Sequence, residues 1–368
     1  MYDLFIIMRE HRKYMSEVKN YHTIGLMSGT SLDGLDIAYC VFSFKGNEWS
    51  YQIRNTATID YPALLLDKLK RSTQLSGLAL SLLDIALGRW IGEETNQFIQ
   101  QHHLSIDLIA SHGHTVFHQP EKRLTLQIGN GQEIFNSCQV LVINDFRSKD
   151  VSLGGHGAPL VPIGDQLLFG EYEGCLNLGG IANISFQQNN QRIAYDIAPV
   201  NIVLNMLSQQ LGKPYDDQGK IAKKGDIDLD LIGKLSKLDF YKIKPPKSLG
   251  YEWIEANVFP LLENMKQSTE DKLATFTEHI AQQMAKHLPS GKTLITGGGA
   301  YNKFLIERLD HHISDEQTLE IPDATTLEYK EAMIFAFLGV LRTRNETNCL
   351  SSVTGASMNN CGGMIYSN

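Results

Sequence analysis

The segment with the clearest capacity for chemistry is a polar run that follows an apolar stretch in the middle of the chain. Residues 139–150 read QVLVINDFRSKD, so a strand predicted at 140–143 delivers Asn144, Asp145 and Arg147 at its carboxyl end. Ligand sites of α/β proteins concentrate at that end of a strand. A carboxylate there can act as a general base, and a guanidinium can neutralise a phosphate or a carboxylate. We predict Asp145 as the base, with a structural Asp–Arg pair as the alternative.

A turn of small and polar residues joins the first two predicted strands. Residues 25–36 read GLMSGTSLDGLD. Glycines let the backbone approach a ligand closely, and hydroxyl and amide groups can donate hydrogen bonds to phosphate oxygens. We therefore predict a phosphate cradle, in which Asp33 and Asp36 act through Mg²⁺ or orient the hairpin. An ordinary hairpin turn is the alternative.

Two further glycine turns follow predicted strands in the second half of the chain. Residues 179–180 precede Asn183 and correspond in position to the first turn. This second turn would hold a triphosphate on the side opposite to the first turn. Residues 297–299 are three glycines before Asn302, and their backbone could lie flat against an adenine or a ribose. Tight turns without a ligand are the alternative for both. Neither a P-loop nor a dinucleotide-binding fingerprint is present, because the required glycine spacing is missing.

Three histidines within residues 111–120, SHGHTVFHQP, invite interpretation as a metal site. No cysteine or acidic residue completes a ligand set with them, so recognition of sugar hydroxyls or packing in a turn is the better interpretation. The loop at residues 154–159, GGHGAP, is suited to the close approach of a ligand. The five cysteines are scattered, which fits a reducing compartment and argues against a zinc ribbon or a disulfide scaffold.

The composition limits the classes of protein to which the chain can belong. The chain has 368 residues, a formal net charge of −8 and 42% hydrophobic residues, which is ordinary for a globular protein of two domains or one large one. Its acidity weakens a nucleic-acid or anionic-membrane role, and no apolar run approaches the ~20 residues of a membrane span. We expect a soluble cytoplasmic protein that binds neither nucleic acid nor membrane.

The order of the predicted elements repeats along the chain. Three strand-like segments between residues 23 and 59 precede alternating helices and strands, and a similar order restarts at about residue 171. We predict an N-terminal extension at 1–20, a first domain at 21–170 and a second domain at 171–368.

Together, these motifs resemble the 1,6-anhydro-N-acetylmuramic acid kinase family of the actin/hexokinase/heat-shock ATPase superfamily. The match runs in the family's order over nearly the whole chain. The matching segments are GLMSGTSLDGLD (25–36), SHGHTVFHQP (111–120), LQIGNG (126–131), NDFRSKDVSLGGHGAPLVP (144–162), LNLGGIANIS (176–185), ITGGGAYN (295–302) and SVTGAS (352–357). The resemblance implies an α/β fold of two actin-like (ribonuclease H-like) domains, each a mixed five-stranded sheet flanked by helices, with an interdomain cleft.

The resemblance also implies an activity and a set of contacts. Such kinases of cell-wall recycling use ATP and Mg²⁺ to open the 1,6-anhydro ring of anhydro-N-acetylmuramic acid and to phosphorylate O6. Asp145 then matches the base that activates a water molecule. The implied ATP contacts are Gly29, Thr30, Ser31, Leu32, Asp33, Gly34, Leu35, Asp36, Gly179, Gly180, Asn183, Gly297, Gly298, Gly299 and Asn302. The implied sugar contacts are His114, Thr115, Arg147, His156, Gly157, Ala158 and Glu331, and the implied Mg²⁺ ligands are Asp33 and Asp196.

One departure from the family pattern concerns residues 196–201. They read DIAPVN where many members have Asp-Thr-Gly-Pro-Gly-Asn, and the loss of both glycines makes this loop stiffer. Two alternatives therefore stay open: a kinase of a different amino or anhydro sugar, and a non-catalytic nucleotide-binding relative. The resemblance is also compatible with a homodimer.

Overall fold

The structure is a computed structural model that describes residues 18–29 and 32–368. Most of the predicted extension, residues 1–17, and the predicted ATP contacts Thr30 and Ser31 therefore lie outside the described residues. The chain divides into two compact units. The first comprises the chain up to Leu168 together with Tyr329–Asn368, and the second comprises Phe169–Glu328.

The first unit is built on a mixed sheet. Its strand order is β13-β7-β4-β1-β2-β3, in which β1, β2 and β3 form an antiparallel meander, β4 and β7 run parallel to β1, and β13 is antiparallel to β7. The strands are β1 Lys19–Ser28, β2 Leu35–Lys45, β3 Glu48–Ile59, β4 Leu108–Ser111, β7 Val142–Asn144 and β13 Met364–Tyr366. A separate hairpin pairs β5 His114–Gln119 with β6 Leu124–Ile128.

Helices cover this sheet and complete its core. They are α1 Ala63–Lys70, α2 Gly77–Gln101, α3 Gly131–Cys138, α4 Ser148–Ser152, α5 Val161–Leu168, the part of α12 Ala324–Thr343 that begins at Tyr329, and α13 Ser351–Thr354. Strand residues such as Ile24 and Ile37 pack with Leu87 and Ile91 of α2 in one hydrophobic cluster. Burial of these apolar side chains is the main force that holds helix and sheet together.

The second unit repeats the same sheet order. Its five strands are arranged β10-β9-β8-β11-β12, so that an antiparallel meander is again followed by two parallel strands. The strands are β8 Gly174–Leu178, β9 Ile181–Gln188, β10 Gln191–Pro199, β11 Gly291–Thr296 and β12 Gln317–Glu320. The helices are α6 Asn201–Gln210, α7 Leu229–Ser236, α8 Tyr251–Asn257, α9 Phe259–Glu263, α10 Thr269–Ala285 and α11 Lys303–His312. When the strands are numbered separately within each unit, both sheets contain the strand order 3-2-1-4-5. This shared order confirms the expected pair of actin-like α/β domains.

The C-terminal 40 residues depart from the expected domain division. The sequence predicted one continuous second domain at 171–368, whereas Tyr329–Asn368 belong to the first unit. The reason is strand pairing, because Met364–Tyr366 pair with Val142–Asn144 at the edge of the first sheet. That sheet consequently has six strands instead of five. Among the described residues, no helix combines the length and the apolar character needed to cross a membrane.

A charged cluster joins two helices of the second unit. Glu278 of α10 accepts hydrogen bonds from Arg308 Nε at 2.5 Å and from Gln282 at 2.9 Å, and it contacts His312 Nε2 at 2.6 Å. Burial alone would raise the pKa of Glu278, but these three partners outweigh it and lower the pKa to about 2. The cluster therefore favours the folded state only while Glu278 is ionised.

This cluster makes stability depend on pH in a defined direction. A folded-state pKa below the ordinary value of 4.5 means that the stabilisation is complete above pH 4.5 and is lost as the pH falls toward 2. Glu278→Gln should lower the free energy of unfolding at pH 7 by about 1.5–3 kcal/mol, and by less at pH 3.5, as measured by urea denaturation. Glu307→Gln is the matched control, because its pair with Lys223 is exposed and contributes little. An equal loss at both pH values would contradict the assignment.

Candidate active site

Asp145 follows β7 directly and begins the turn into α4. Its backbone has a φ of 52°, a left-handed conformation that costs energy for a residue other than glycine. Its Oδ1 accepts a hydrogen bond from the backbone N–H of Ser148 at 3.2 Å, which orients the carboxylate. No other described group donates a hydrogen bond to this carboxylate. The turn therefore holds one carboxylate oxygen in place and leaves Oδ2 available to take a proton.

Arg147 lies two residues further along, at the start of α4. Its Nη1 donates to the carbonyl oxygen of Gly157 at 2.7 Å, and its Nε and Nη2 contact His112 Nε2 at 3.1 Å and 2.8 Å. The guanidinium also lies over the ring of Phe335, 6.0 Å from the centroid. Burial lowers the pKa of Arg147, whereas the Glu331 carboxylate raises it. The cation is thus fixed on several sides within the first unit.

Glu331 provides a carboxylate near this cation, on the part of α12 that belongs to the first unit. The side chain is exposed to solvent, yet desolvation by the surrounding protein atoms raises the pKa of Glu331. The Asp36 carboxylate also raises this pKa, whereas the Arg147 cation lowers it. A carboxylate that is both accessible to water and closely surrounded is suited to hydrogen bonding with a polar ligand. Arg147 and Glu331 interact electrostatically without an ion pair between them among the described residues.

The first glycine turn connects β1 to β2, and its residues differ in their exposure to solvent. Asp33 is exposed, and Asp36 Oδ1 accepts a hydrogen bond from Thr58 Oγ1 at 2.6 Å. Leu35 is fully buried and belongs to the core of the first unit, so only its backbone is available to a nucleotide. Gly29 accepts a hydrogen bond from the backbone of Leu32 at 3.2 Å. Gly34 completes the described part of this turn.

The histidine segment contributes buried groups. His114 is 4% exposed, and its Nδ1 has no hydrogen-bond partner among the described residues. Burial lowers the pKa of His114, which keeps the ring neutral. Thr115 accepts a hydrogen bond from Gln127 Nε2 at 3.3 Å. An unpartnered ring nitrogen is a position where a ligand hydroxyl would restore a hydrogen bond.

The loop that carries the other predicted sugar contacts is held by a buried carboxylate. Asp150 Oδ2 accepts from the backbone N–H of Gly157 at 2.8 Å, and the backbone N–H of His156 donates to Thr354 at 2.8 Å. His156 is exposed, and Ala158 is joined to Pro159 by a cis peptide bond. Asp150 Oδ1 also accepts hydrogen bonds from Cys349 Sγ, Thr354 Oγ1 and Asn360 Nδ2. The C-terminal segment therefore fixes this loop through one carboxylate.

In the second unit, two glycine turns lie side by side at the carboxyl ends of the parallel strands β8 and β11. Gly297 has a φ of 82°, and a Cβ there would lie 2.6 Å from Asn177 Oδ1, so only glycine fits. The carbonyl oxygen of Gly180 accepts hydrogen bonds from Val200 and Ile202 at the start of α6. The first backbone N–H groups of α6 are therefore engaged in holding the turn at Gly179 and Gly180.

The remaining predicted contacts of this unit are held by structural hydrogen bonds. Asn302 caps α11, since its Oδ1 accepts from the N–H of Leu305 at 3.0 Å. Asp196 Oδ2 accepts from the N–H of Leu249 at 2.8 Å and from Ser248 Oγ at 3.2 Å. Burial raises the pKa of Asp196, and these two hydrogen bonds lower it. Asn183 is half-buried and pairs with Asp196 across the β9–β10 ladder.

The arrangement of these side chains gives only limited support for a metal site. Across residues 18–29 and 32–368, no group of three or more His, Cys, Asp or Glu side chains is placed to hold a metal ion. Mg²⁺ in phosphate chemistry needs only one or two carboxylates beside phosphate oxygens and water. The exposed carboxylate of Asp33 fits that requirement better than Asp196, whose Oδ2 is already occupied.

Sequence reasoning missed three residues that organise these regions. They are His112, which contacts Arg147; Asp150, which anchors the loop of Gly157; and Asn201, whose Nδ2 donates to the carbonyl oxygen of Leu178 beside the glycine turns. Each lies within or next to a motif that the sequence analysis quoted. Their membership in those motifs was the available signal, because these contacts form only when folding brings the loops and strands together.

Comparison with known proteins gives consistent results. The sequence profile of the anhydro-N-acetylmuramic acid kinase family matches residues 21–368. The chain is 34% identical over 372 residues to the "Anhydro-N-acetylmuramic acid kinase" of Francisella tularensis subsp. novicida, covering 93% of this chain and 97% of that protein. It is 31% identical over 365 residues to the protein of the same name from Sulfurimonas denitrificans, covering 93% and 98%.

Solved structures resemble the chain more distantly. One is the activator of the 2-hydroxyisocaproyl-CoA dehydratase from Clostridium difficile with bound ADPNP, with a TM-score of 0.39, 13% identity and coverage of 88% of this chain and 97% of that one. Another is a ROK family glucokinase from Streptomyces griseus, with a TM-score of 0.37, 10% identity and coverage of 86% and 98%. At these scores, the likeness carries no conclusion about function.

Proposed function

Because the chain belongs to the anhydro-N-acetylmuramic acid kinase family, we propose that it opens the 1,6-anhydro ring of anhydro-N-acetylmuramic acid and phosphorylates O6 with ATP. The product is N-acetylmuramic acid 6-phosphate, and the pathway is the recycling of cell-wall peptidoglycan. The observation that carries the proposal is the turn at Asp145, which orients the carboxylate through Ser148 and leaves Oδ2 without a partner among the described groups.

The reaction balances with one water molecule. Water attacks C1 of the sugar while Asp145 takes its proton, the C1–O6 bond breaks, and O6 forms a bond to the γ-phosphorus as the bond to ADP breaks. The base therefore acts on a water held within hydrogen-bond reach of Oδ2. Much of the remaining rate enhancement comes from positioning the reactants and neutralising phosphate charge.

The residues of each unit suit different parts of this reaction. Arg147, Glu331 and His114 supply a cation, a carboxylate and a buried ring nitrogen for the polar groups of the sugar. The backbone amides of the two glycine turns in the second unit suit phosphate oxygens. Mg²⁺, held by Asp33, would neutralise phosphate charge.

The proposal is tested by product analysis. Incubation of the protein with ATP, Mg²⁺ and anhydro-N-acetylmuramic acid should give ADP and a sugar whose mass has increased by one water and one HPO₃. Phosphorus NMR should place the phosphate on O6, next to a reducing C1. ATP-dependent thermal stabilisation without any product at high protein concentration would instead indicate a nucleotide-binding relative without catalysis. Turnover of another anhydro or amino sugar alone would reassign the substrate.

Two further parts of the proposal concern the protein in the cell. We place it in the cytoplasm, where ATP is available, and we propose a homodimer. Fractionation of cells that express the protein and sedimentation of the purified protein test these two statements separately. Recovery in the extracytoplasmic fraction, or a monomer at micromolar concentration, would contradict them.

A further inference from the structure

The hydrogen bonds of Arg147 leave a defined part of its guanidinium available. A guanidinium has five N–H groups and accepts no hydrogen bond. Nε and Nη2 each direct one N–H at His112 Nε2, and Nη1 directs one at the carbonyl oxygen of Gly157. Two N–H groups therefore remain, one on each terminal nitrogen, without a partner among the described residues. Two adjacent N–H donors match the two oxygens of a carboxylate.

The partners of His112 determine its protonation. Because Arg147 can only donate, His112 Nε2 must be the acceptor and carries no proton. Because the carbonyl oxygen of Gly113 can only accept, His112 Nδ1, at 2.8 Å, must be the donor. Burial and the adjacent Arg147 lower the pKa of His112 to about 3, so the ring is neutral at physiological pH. Its tautomer is consequently unique.

The ring of His112 is itself immobilised. It is 6% exposed and packs against Phe335, with ring centroids 4.6 Å apart. Phe335 also lies beneath the Arg147 guanidinium. The acceptor that orients the guanidinium is thus held by β4 on one side and by α12 on the other.

We propose that His112 is a positioning residue that orients Arg147 so that its two remaining N–H groups bind the carboxylate of the sugar's lactyl group. The proposal rests on the proposed function for the identity of the sugar. An anionic group is favoured there because Arg147 is a cation whose hydrogen-bond partners, His112 and the Gly157 carbonyl oxygen, are both neutral. The pair His112–Arg147 would then determine specificity for the acidic sugar over its neutral counterpart without a lactyl group.

The first test is a double-mutant cycle with the lactyl carboxylate as the probe. His112→Phe keeps an aromatic ring against Phe335 but removes the acceptor, and it should raise KM for anhydro-N-acetylmuramic acid about ten- to a hundred-fold, with kcat nearly unchanged. KM for ATP should not change. His112→Gln, whose Oε1 can replace Nε2 as acceptor, should recover most of the loss. In an Arg147→Ala background, His112→Phe should add little.

The outcomes of this cycle are decisive in both directions. A loss caused by His112→Phe that persists in full without Arg147, or a fall in kcat with an unchanged sugar KM, would overturn the proposal. His102→Phe is the matched control and should behave as the wild type, because His102 follows the last residue of α2 and contacts Asn55 instead of Arg147. The neutral sugar that lacks the lactyl group should be insensitive to both His112→Phe and Arg147→Ala.

The second test does not require turnover and so separates this inference from the proposed function. Nitrogen-15 NMR of protein labelled at histidine should show one ring with Nδ1 protonated and Nε2 unprotonated at pH 7, and this signal should disappear in His112→Gln. Arg147→Ala should change the shift of that Nε2. A protonated Nε2 at this position would overturn the proposal even if the sugar is phosphorylated, and the expected tautomer would support the positioning of Arg147 by His112 even if another sugar is the substrate.

Discussion

Asp145→Asn is expected to lower kcat by about 10²–10⁴-fold while ATP still binds. Asparagine removes the basic oxygen but keeps an acceptor for the N–H of Ser148, and asparagine tolerates the left-handed backbone at this position. The loss should therefore reflect proton transfer and not a change of fold. Single-turnover assays with the sugar, together with ATP-dependent thermal stabilisation, separate catalysis from binding.

A second variant at the same position checks that interpretation. Asp145→Ala loses the acceptor for Ser148 as well as the base, and alanine tolerates a φ of 52° less readily, so it should lower both kcat and the melting temperature. If Asp145→Asn turned over the sugar at a rate close to that of the wild type, Asp145 would not be the base.

Gly25→Ala is expected to be the most destabilising single substitution among those considered for the first unit. A Cβ on Gly25 of β1 would lie 1.8 Å from the backbone carbonyl oxygen of Ala332, on α12. No side-chain rotation can relieve an overlap with backbone, so strand and helix must move apart. The free energy of unfolding should fall by about 3 kcal/mol or more, at or above the upper end of the range for overpacked cores.

Activity should fall with stability in this variant. Ala332 follows Glu331 directly, and β1 leads into the turn at Gly29, so displacement of either element moves a predicted substrate contact. Gly77→Ala is the matched control, because no atom lies within 4 Å of its added Cβ at the start of α2. The free energy of unfolding, measured by urea denaturation, and the kcat of Gly77→Ala should both be close to the wild-type values. Equal stability of the two variants would contradict the close packing of β1 on α12.

Helical periodicity shows how far a local pattern reaches. Leu78 and Leu82 lie four residues apart in α2 and therefore share one face of the helix, yet that face is exposed. The buried face carries Leu83, Leu87 and Ile91. Both faces are rich in apolar residues, so the period alone could not decide which one packs against the sheet.

Sequence patterns were enough to predict the family, the two sheets that begin with a meander, and the residue types at the carboxyl ends of β7, β8 and β11. These features are local, because the alternation of apolar and polar residues, the glycines of turns and the order of motifs can all be read from short stretches of sequence. Three features came from the folded chain and not from any sequence pattern: the last 40 residues join the first sheet, Asp150 binds Cys349 and Asn360, and His112 contacts Arg147. Those contacts join residues 35 to 224 positions apart, and folding brings them together by burying apolar surface that no local pattern assigns to a particular partner.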